Sequence, residues 1–407
     1  MKIKLNSGLI KGSFILLVAF NIFNALNFFF HFAMARLLSV GEYGIFLTLF
    51  MIIYILGVFT ESIQLVITKY TSKEEDNGKL KNIFKKTIKK SSFVAFFILL
   101  AYLVFAIPLS VYLFKIDYFL MALTGLMLAD AFLIPVTRGV LQGRKRFFSL
   151  GTNMVVESSV KLILAIIFVY LGLKVYGAIL GTIIGVFIAF GFSIFSIRDI
   201  LKSDEKSAET TGIYGYTRPT FFVILVILLF FTIDVFIVKV FFNEEIAGVY
   251  AIASILAKTI FFGTQPISKA MFPLSAESNL NKKKSENVFY NALGILLVAV
   301  TIALFLFYFF SDIIIRVFSG RYIPEAASIL FYLGIAIGFL SLANLVLLYK
   351  LSLGKTKGYV YLIIFAVLDI VLLILFSIFF MTTLFQFAIA FISAMAAFFW
   401  ASVLFLN

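Results

Sequence analysis

Four basic side chains sit inside stretches otherwise apolar enough to cross a bilayer: Arg138, Lys161, Lys258 and Lys269. On insertion scales each costs about 2.5–3.5 kcal/mol at mid-membrane, so each needs a counter-charge or water. Lys161 has Glu157 one turn earlier, a spacing that predicts an ion pair along one helix face. Arg138 lies near the end of its stretch, where it could snorkel, with Asp130 two turns earlier. Lys258 has no acidic residue within reach on its own helix. That predicts a cation on a wet wall, suited to an anionic ligand, with Lys269 and Arg138 beside it. The competing reading pairs these cations with Glu61 or Asp130 of another helix. Asp234 and Asp369 are the remaining acids at bilayer depth, either protonated or hydrogen-bonded within the bundle.

Uncharged polar residues follow the same logic. At 100° per residue, Asn21, Asn24, Asn27 and His31 fall within an arc of roughly 120°, clear of most neighbouring phenylalanines. Ser254, Lys258, Gln265 and Lys269 form one narrow stripe, and Tyr54, Glu61, Gln64 and Thr68 another. Such stripes face either a water-filled cavity or a neighbouring helix to which they hydrogen-bond. For His31 the neighbouring helix or the membrane interface is the better fit.

The elements that carry these residues must be membrane spans. The chain has 407 residues, 63% hydrophobic and 13% charged, with 53 phenylalanines, which excludes a soluble globular protein. Twelve stretches of about the needed 20 residues occur, at 13–36, 43–68, 91–114, 118–141, 151–172, 175–197, 217–241, 247–274, 287–317, 325–350, 358–380 and 383–406. The basic, apolar N-terminus lacks a small-residue cleavage site and is expected to be an uncleaved first span. Alternating the loops places 24 Lys and Arg on one side and six on the other. That predicts both termini in the cytoplasm and explains the net charge of +14 without nucleic acid. The loop from Lys69 to Lys90 is expected to reach anionic headgroups. With no cysteine there are no disulfides or thiolate metal sites. Pro135, Pro266 and Pro273 mark places where spans four and eight could bend.

The chain also repeats itself. "RLLSVGEYGIFLTLF" after span one matches "KVFFNEEIAGVYAIA" after span seven at an offset of 204, aligning Gly44 with Gly248. "LQGRKRF" after span four likewise matches "LGKTKGY" after span ten. Two six-helix halves, 1–205 and 206–407, are expected, related by a pseudo-two-fold axis along the membrane normal.

The blocks "ARLLSVGEYGIFLTLFMI", "GVYAIASILAK…ISKAMFPLSAE" and "GRYIPEAASIL…LSLGKTK" resemble those of polysaccharide-biosynthesis flippases. These exporters of lipid-linked oligosaccharides share a superfamily with multidrug extruders and lipid II flippases. The resemblance implies an all-α membrane protein with two six-helix lobes around a central cavity and rocking, alternating access. It also implies a polyprenyl-pyrophosphate-linked oligosaccharide as cargo, membrane lipids and glycan-assembly enzymes as partners, and the plasma membrane as location. On that reading Lys258, Lys269, Arg138, Gln265, Glu61, Gln64, Asn24 and Asn27 are the substrate-binding set. Asp234 and Asp369, with Asn344 or Thr383, are the candidates for a coupling Na+ or H+, and no cofactor is implied.

Other classes fit poorly. One histidine and no cysteine leave no hydrolytic constellation. "YKLSLGKT" has Tyr349 where a phosphate-binding loop needs its first glycine. A membrane glycosyltransferase or polymerase would need a long acidic outer loop. An extruder of small cations would favour an acidic cavity, against four intramembrane cations.

Overall fold

A computed structural model of the chain describes residues 7–208, 218–277, 282–355, 357–380 and 382–405, which contain no strand. Lys2 and Lys4, which contribute to the expected charge asymmetry, lie outside these residues, as do the two chain ends.

The spanning helices are α1 (Ser7–Leu37), α2 (Val40–Thr71), α3 (Asn77–Pro108), α4 (Tyr118–Gly143), α5 (Phe147–Phe168), α6 (Lys174–Ser196), α7 (Arg218–Phe241), α8 (Glu244–Glu277), α9 (Lys282–Ser319), α10 (Pro324–Ser352), α11 (Tyr359–Phe379) and α12 (Leu384–Phe405). Among the described residues, eleven apolar segments are long enough to cross a membrane, and one of them, Phe147–Ser196, runs 50 residues. At Gly172 (φ 90°) that segment turns back on itself and supplies both α5 and α6. The twelve spans expected from hydropathy are therefore present among the described residues, and the chain is a multi-pass membrane protein.

Caps fix the ends. Ser39 and Glu42 exchange backbone-to-side-chain hydrogen bonds at the start of α2, and Thr383 and Gln386 do the same for α12. Asn243, offset from Ser39 by the repeat distance, accepts from Ile246 N at 2.9 Å and caps α8. Pro135 ends one turn and opens Ile134–Gly143, so α4 is built in pieces. Pro266 leaves α8 continuous.

Two compact units result: Met1–Leu38 with Ile52–Thr217, and Ser39–Met51 with Arg218–Asn407. In the first, Gly177, Gly181 and Gly185 form a small-residue stripe that brings α6 against α5. A Cβ at Gly181 would lie 2.5 Å from Ala165 N, and one at Gly185 3.1 Å from Lys161 N. In the second, α8 and α10 are the most enclosed helices, and aromatic rings fill the space around them. Phe230 stacks on Phe398 at 4.2 Å, and Tyr250 meets Phe387 edge-on at 5.6 Å. Helices α3, α9 and α11 expose apolar faces, as lipid-facing helices must.

Candidate functional site

Each unit contains a buried charge cluster, and the sequence stripes divide between these clusters and the exposed surface. In the first unit, the Pro135 break sets the last piece of α4 so that Arg138 reaches α5. Its Nε donates to Asn153 Oδ1 at 2.8 Å and its Nη2 to Glu157 Oε2 at 2.6 Å. Asn153 Nδ2 carries the network on to the Ala189 carbonyl of α6 at 2.6 Å. Arg138 and Glu157 are only 7% and 6% exposed, so this is an ion pair inside the bundle. Lys161 hydrogen-bonds Asn27 Oδ1 on α1 and lies 4.7 Å from the centre of the Phe30 ring.

Three expectations are corrected here. Glu157 forms its ion pair with Arg138 rather than the expected one with Lys161, which bonds Asn27 instead. Arg138 takes Glu157, not Asp130, as its hydrogen-bonded counter-charge, and it is buried rather than lining a wet wall. Asn27 spends its oxygen on Lys161 and its amide on the Phe23 carbonyl at 2.8 Å, so it joins helices. The physical reason is common to all three. The glycine stripe draws α6 against α5, so the polar face of α5 is sealed and its charged groups bond the side chains within reach.

Gln64 is also a helix link: its Nε2 donates to Gln142 Oε1 at 2.8 Å, where Gly139 and Gly143 let α2 and α4 approach. His31 is buried beside the Phe30 ring, as expected for helix packing.

In the second unit, Tyr250, Ser254 and Lys258 follow at steps of four on α8 and converge on Asp234 of α7. Lys258 Nζ lies 2.9 Å from both Asp234 oxygens and 2.8 Å from Ser254 Oγ. Ser254 Oγ donates to Asp234 Oδ2 at 2.7 Å, and Tyr250 OH donates to the same oxygen at 3.1 Å. Lys258 is 0% and Asp234 1% exposed. Lys258 as an unpartnered wall cation and Asp234 as a free ion-coupling carboxylate are thus both corrected: each neutralises the other. Sequence reasoning missed the pair because its members lie on different helices, although the four-residue spacing on α8 was visible.

Asp369 stands elsewhere, in a crevice of about 580 Å³ between α11 and α12 lined mainly by Leu372, Leu373, Phe376, Ile389 and Ala390. Its Oδ2 is buried and has no hydrogen-bond partner among the described residues. Gln386 Oε1, on the same crevice, accepts from Thr382 and Thr383 at the α12 cap. Asp234 is fully subscribed and offers a sodium ion no open oxygen, whereas Asp369 shares its crevice with Gln386 and Ser393. What remains of the predicted set is accessible. Lys269, Glu61 and Asn24 are exposed, and Gln265 is half-buried.

The sequence matches a family described as polysaccharide biosynthesis protein over residues 33–328. An uncharacterized membrane protein of Methanocaldococcus jannaschii is 26% identical over 384 residues, covering 89% of this chain and 90% of that protein. Among solved structures, the lipid II flippase MurJ in an inward closed conformation superposes with a TM-score of 0.71 at 17% identity, over 96% of this chain and 87% of the other. MATE in complex with MaL6 gives 0.68 at 17% identity, over 97% and 94%. A transporter of the same superfamily from Pyrococcus furiosus gives 0.66 at 15% identity, over 97% and 94%. The all-α transporter fold expected from the sequence is the fold these proteins share.

Proposed function

Because the chain belongs to the polysaccharide biosynthesis protein family, we propose that it is a flippase of polyprenyl-pyrophosphate-linked oligosaccharide. It moves that lipid from the cytoplasmic to the outer leaflet of the plasma membrane by alternating access. The observation that carries the reading is the split between sealed and accessible polar groups. Arg138, Lys161 and Lys258 are buried inside their units, whereas Lys269, Glu61 and Asn24 are exposed on helices of membrane-spanning length. An exposed ammonium suits a phosphate, and an exposed carboxylate or amide suits sugar hydroxyls. Glycan-assembly enzymes supply the cargo, and no bond is made or broken by the transporter. Coupling falls to Asp369, whose single carboxyl takes a proton.

The test is reconstitution in vesicles with a fluorescent lipid-linked oligosaccharide. The parent protein is expected to equilibrate the lipid across the bilayer. Lys269→Ala is expected to slow it about tenfold, the equivalent of losing one charge-assisted hydrogen bond of about 1.5 kcal/mol. Unchanged flipping by a folded Lys269→Ala removes that residue from the binding set. Transport of a cationic dye in place of the lipid selects the competing reading, a small-cation exporter, for which exposed Glu61 would be the recognition group.

A further inference from the structure

The surroundings of the Lys258 ammonium have the chemistry of a monovalent-cation site. Two carboxylate oxygens of Asp234 and the hydroxyl of Ser254 lie within 2.9 Å of Nζ, and Tyr250 OH also donates to Asp234 Oδ2. Three acceptors match the three ammonium protons. The group is sealed: Ser254 is 2% exposed and Tyr250 0%, and the Phe231 ring lies 5.2 Å from Nζ. A carboxylate so enclosed needs one positive charge beside it, and here the chain supplies that charge on a four-carbon stem.

We infer that Lys258 is a tethered counter-cation, filling an oxygen site that would otherwise hold a free monovalent cation. Asp234 therefore takes no ion from solution, and the second unit keeps α7 and α8 joined in the presence or absence of sodium. This deepens the flippase reading by removing Asp234 from coupling. Its test reads binding through stability, not lipid movement, so the two stand or fall separately.

The experiment compares thermal unfolding of the detergent-purified full chain in sodium chloride and in choline chloride at equal ionic strength. The parent protein is expected to unfold at the same temperature in both salts. Lys258→Ala vacates the ammonium position but keeps Asp234, Ser254 and Tyr250. Its lowered Tm is expected to rise saturably with sodium and not with choline. Adding Asp234→Asn in the same chain is expected to abolish that rise. A folded Lys258→Ala without a sodium response, or a response that survives Asp234→Asn, overturns the assignment. Should Lys258→Ala fail to fold, the parent protein decides alone: a saturable sodium-dependent rise in its Tm, lost in Asp234→Asn, overturns the assignment, and equal Tm in the two salts upholds it.

Discussion

At the scale of single residues, the governing fact is that a charge enclosed in a helical bundle is stable only with its partner. Removing one member of a buried pair leaves the other stranded and destabilises by about 3–5 kcal/mol, whereas replacing both by uncharged groups of similar volume is close to neutral. Arg138→Met is therefore expected to lower the unfolding temperature sharply, because Glu157 keeps its charge and loses its 2.6 Å partner. Arg138→Met with Glu157→Gln is expected to recover most of that loss. Thermal unfolding in detergent measures both, and equal losses in the single and double variants would show that the pair contributes through packing alone. The sequence exposed which residues were charged at bilayer depth and on which helix face. It could not reveal that Arg138 would meet Glu157, or that Asp234 would meet Lys258. Those pairings depend on how far two helices are rotated towards each other, which the sequence of either helix alone does not fix.

Elements are joined by glycine contacts inside the membrane and by charge at its edge. Gly44 and Gly248, aligned through the repeat, come together where α2 and α8 begin: a Cβ on Gly44 would lie 2.8 Å from Gly248 N, and one on Gly248 1.9 Å from the Val40 carbonyl. Gly248→Val must push these backbones apart and is expected to destabilise by about 1–3 kcal/mol, read as a lowered unfolding temperature. An unchanged value would mean that the crossing gives way without cost. At the polar edge, the segment 203–208 is strapped to the first turns of α3. Asp76 caps that helix through Gly78 N at 2.7 Å and binds Lys206 at 2.6 Å, while Glu205 binds Lys85 at 2.6 Å. Several lysines expected to lie on lipid headgroups are thus occupied by the chain itself. The Lys206 hydrogen bond, then the Gly78 N–H, hold the Asp76 carboxyl below its usual 3.8, and the Lys85 hydrogen bond lowers Glu205. Lowered carboxylates stabilise the strap above their unfolded values and lose that contribution as pH falls through the folded ones. Lys206, raised by Asp76, contributes below its unfolded 10.5 and ceases to do so as pH rises through its folded value. Hydrogen exchange at Lys206 N, which bonds the Gly78 carbonyl, is expected to be protected at neutral pH relative to its intrinsic rate. That protection should fall below about pH 4; protection independent of pH in that range would assign the strap to backbone contacts.

The whole molecule is where composition speaks most directly, because twelve crossings and a lopsided charge distribution are properties of the full chain. Lys and Arg in short loops resist translocation, so the side that carries 24 of them is expected to face the cytoplasm and the side with six the exterior. The absence of cysteine makes the expectation measurable, since any introduced thiol is the only one present. Single substitutions Lys89→Cys, Lys145→Cys and Lys355→Cys sample loops on the basic side; Lys115→Cys, Lys174→Cys and Tyr322→Cys sample the other. A membrane-impermeant maleimide added to intact cells is expected to label the second group. The first should react only after permeabilisation. Because α5 and α6 leave from and return to the same side through the turn at Gly172, Lys145 and Lys174 form the most demanding comparison. If Phe147–Ser196 crossed the membrane once as a single rod, every loop after it would change sides. Lys355 would then label from outside and Tyr322 would not. Labelling that alternates through all twelve helices, with Lys174 outside and Lys355 inside, places the end of α8 that carries Lys269 on the basic side of the membrane.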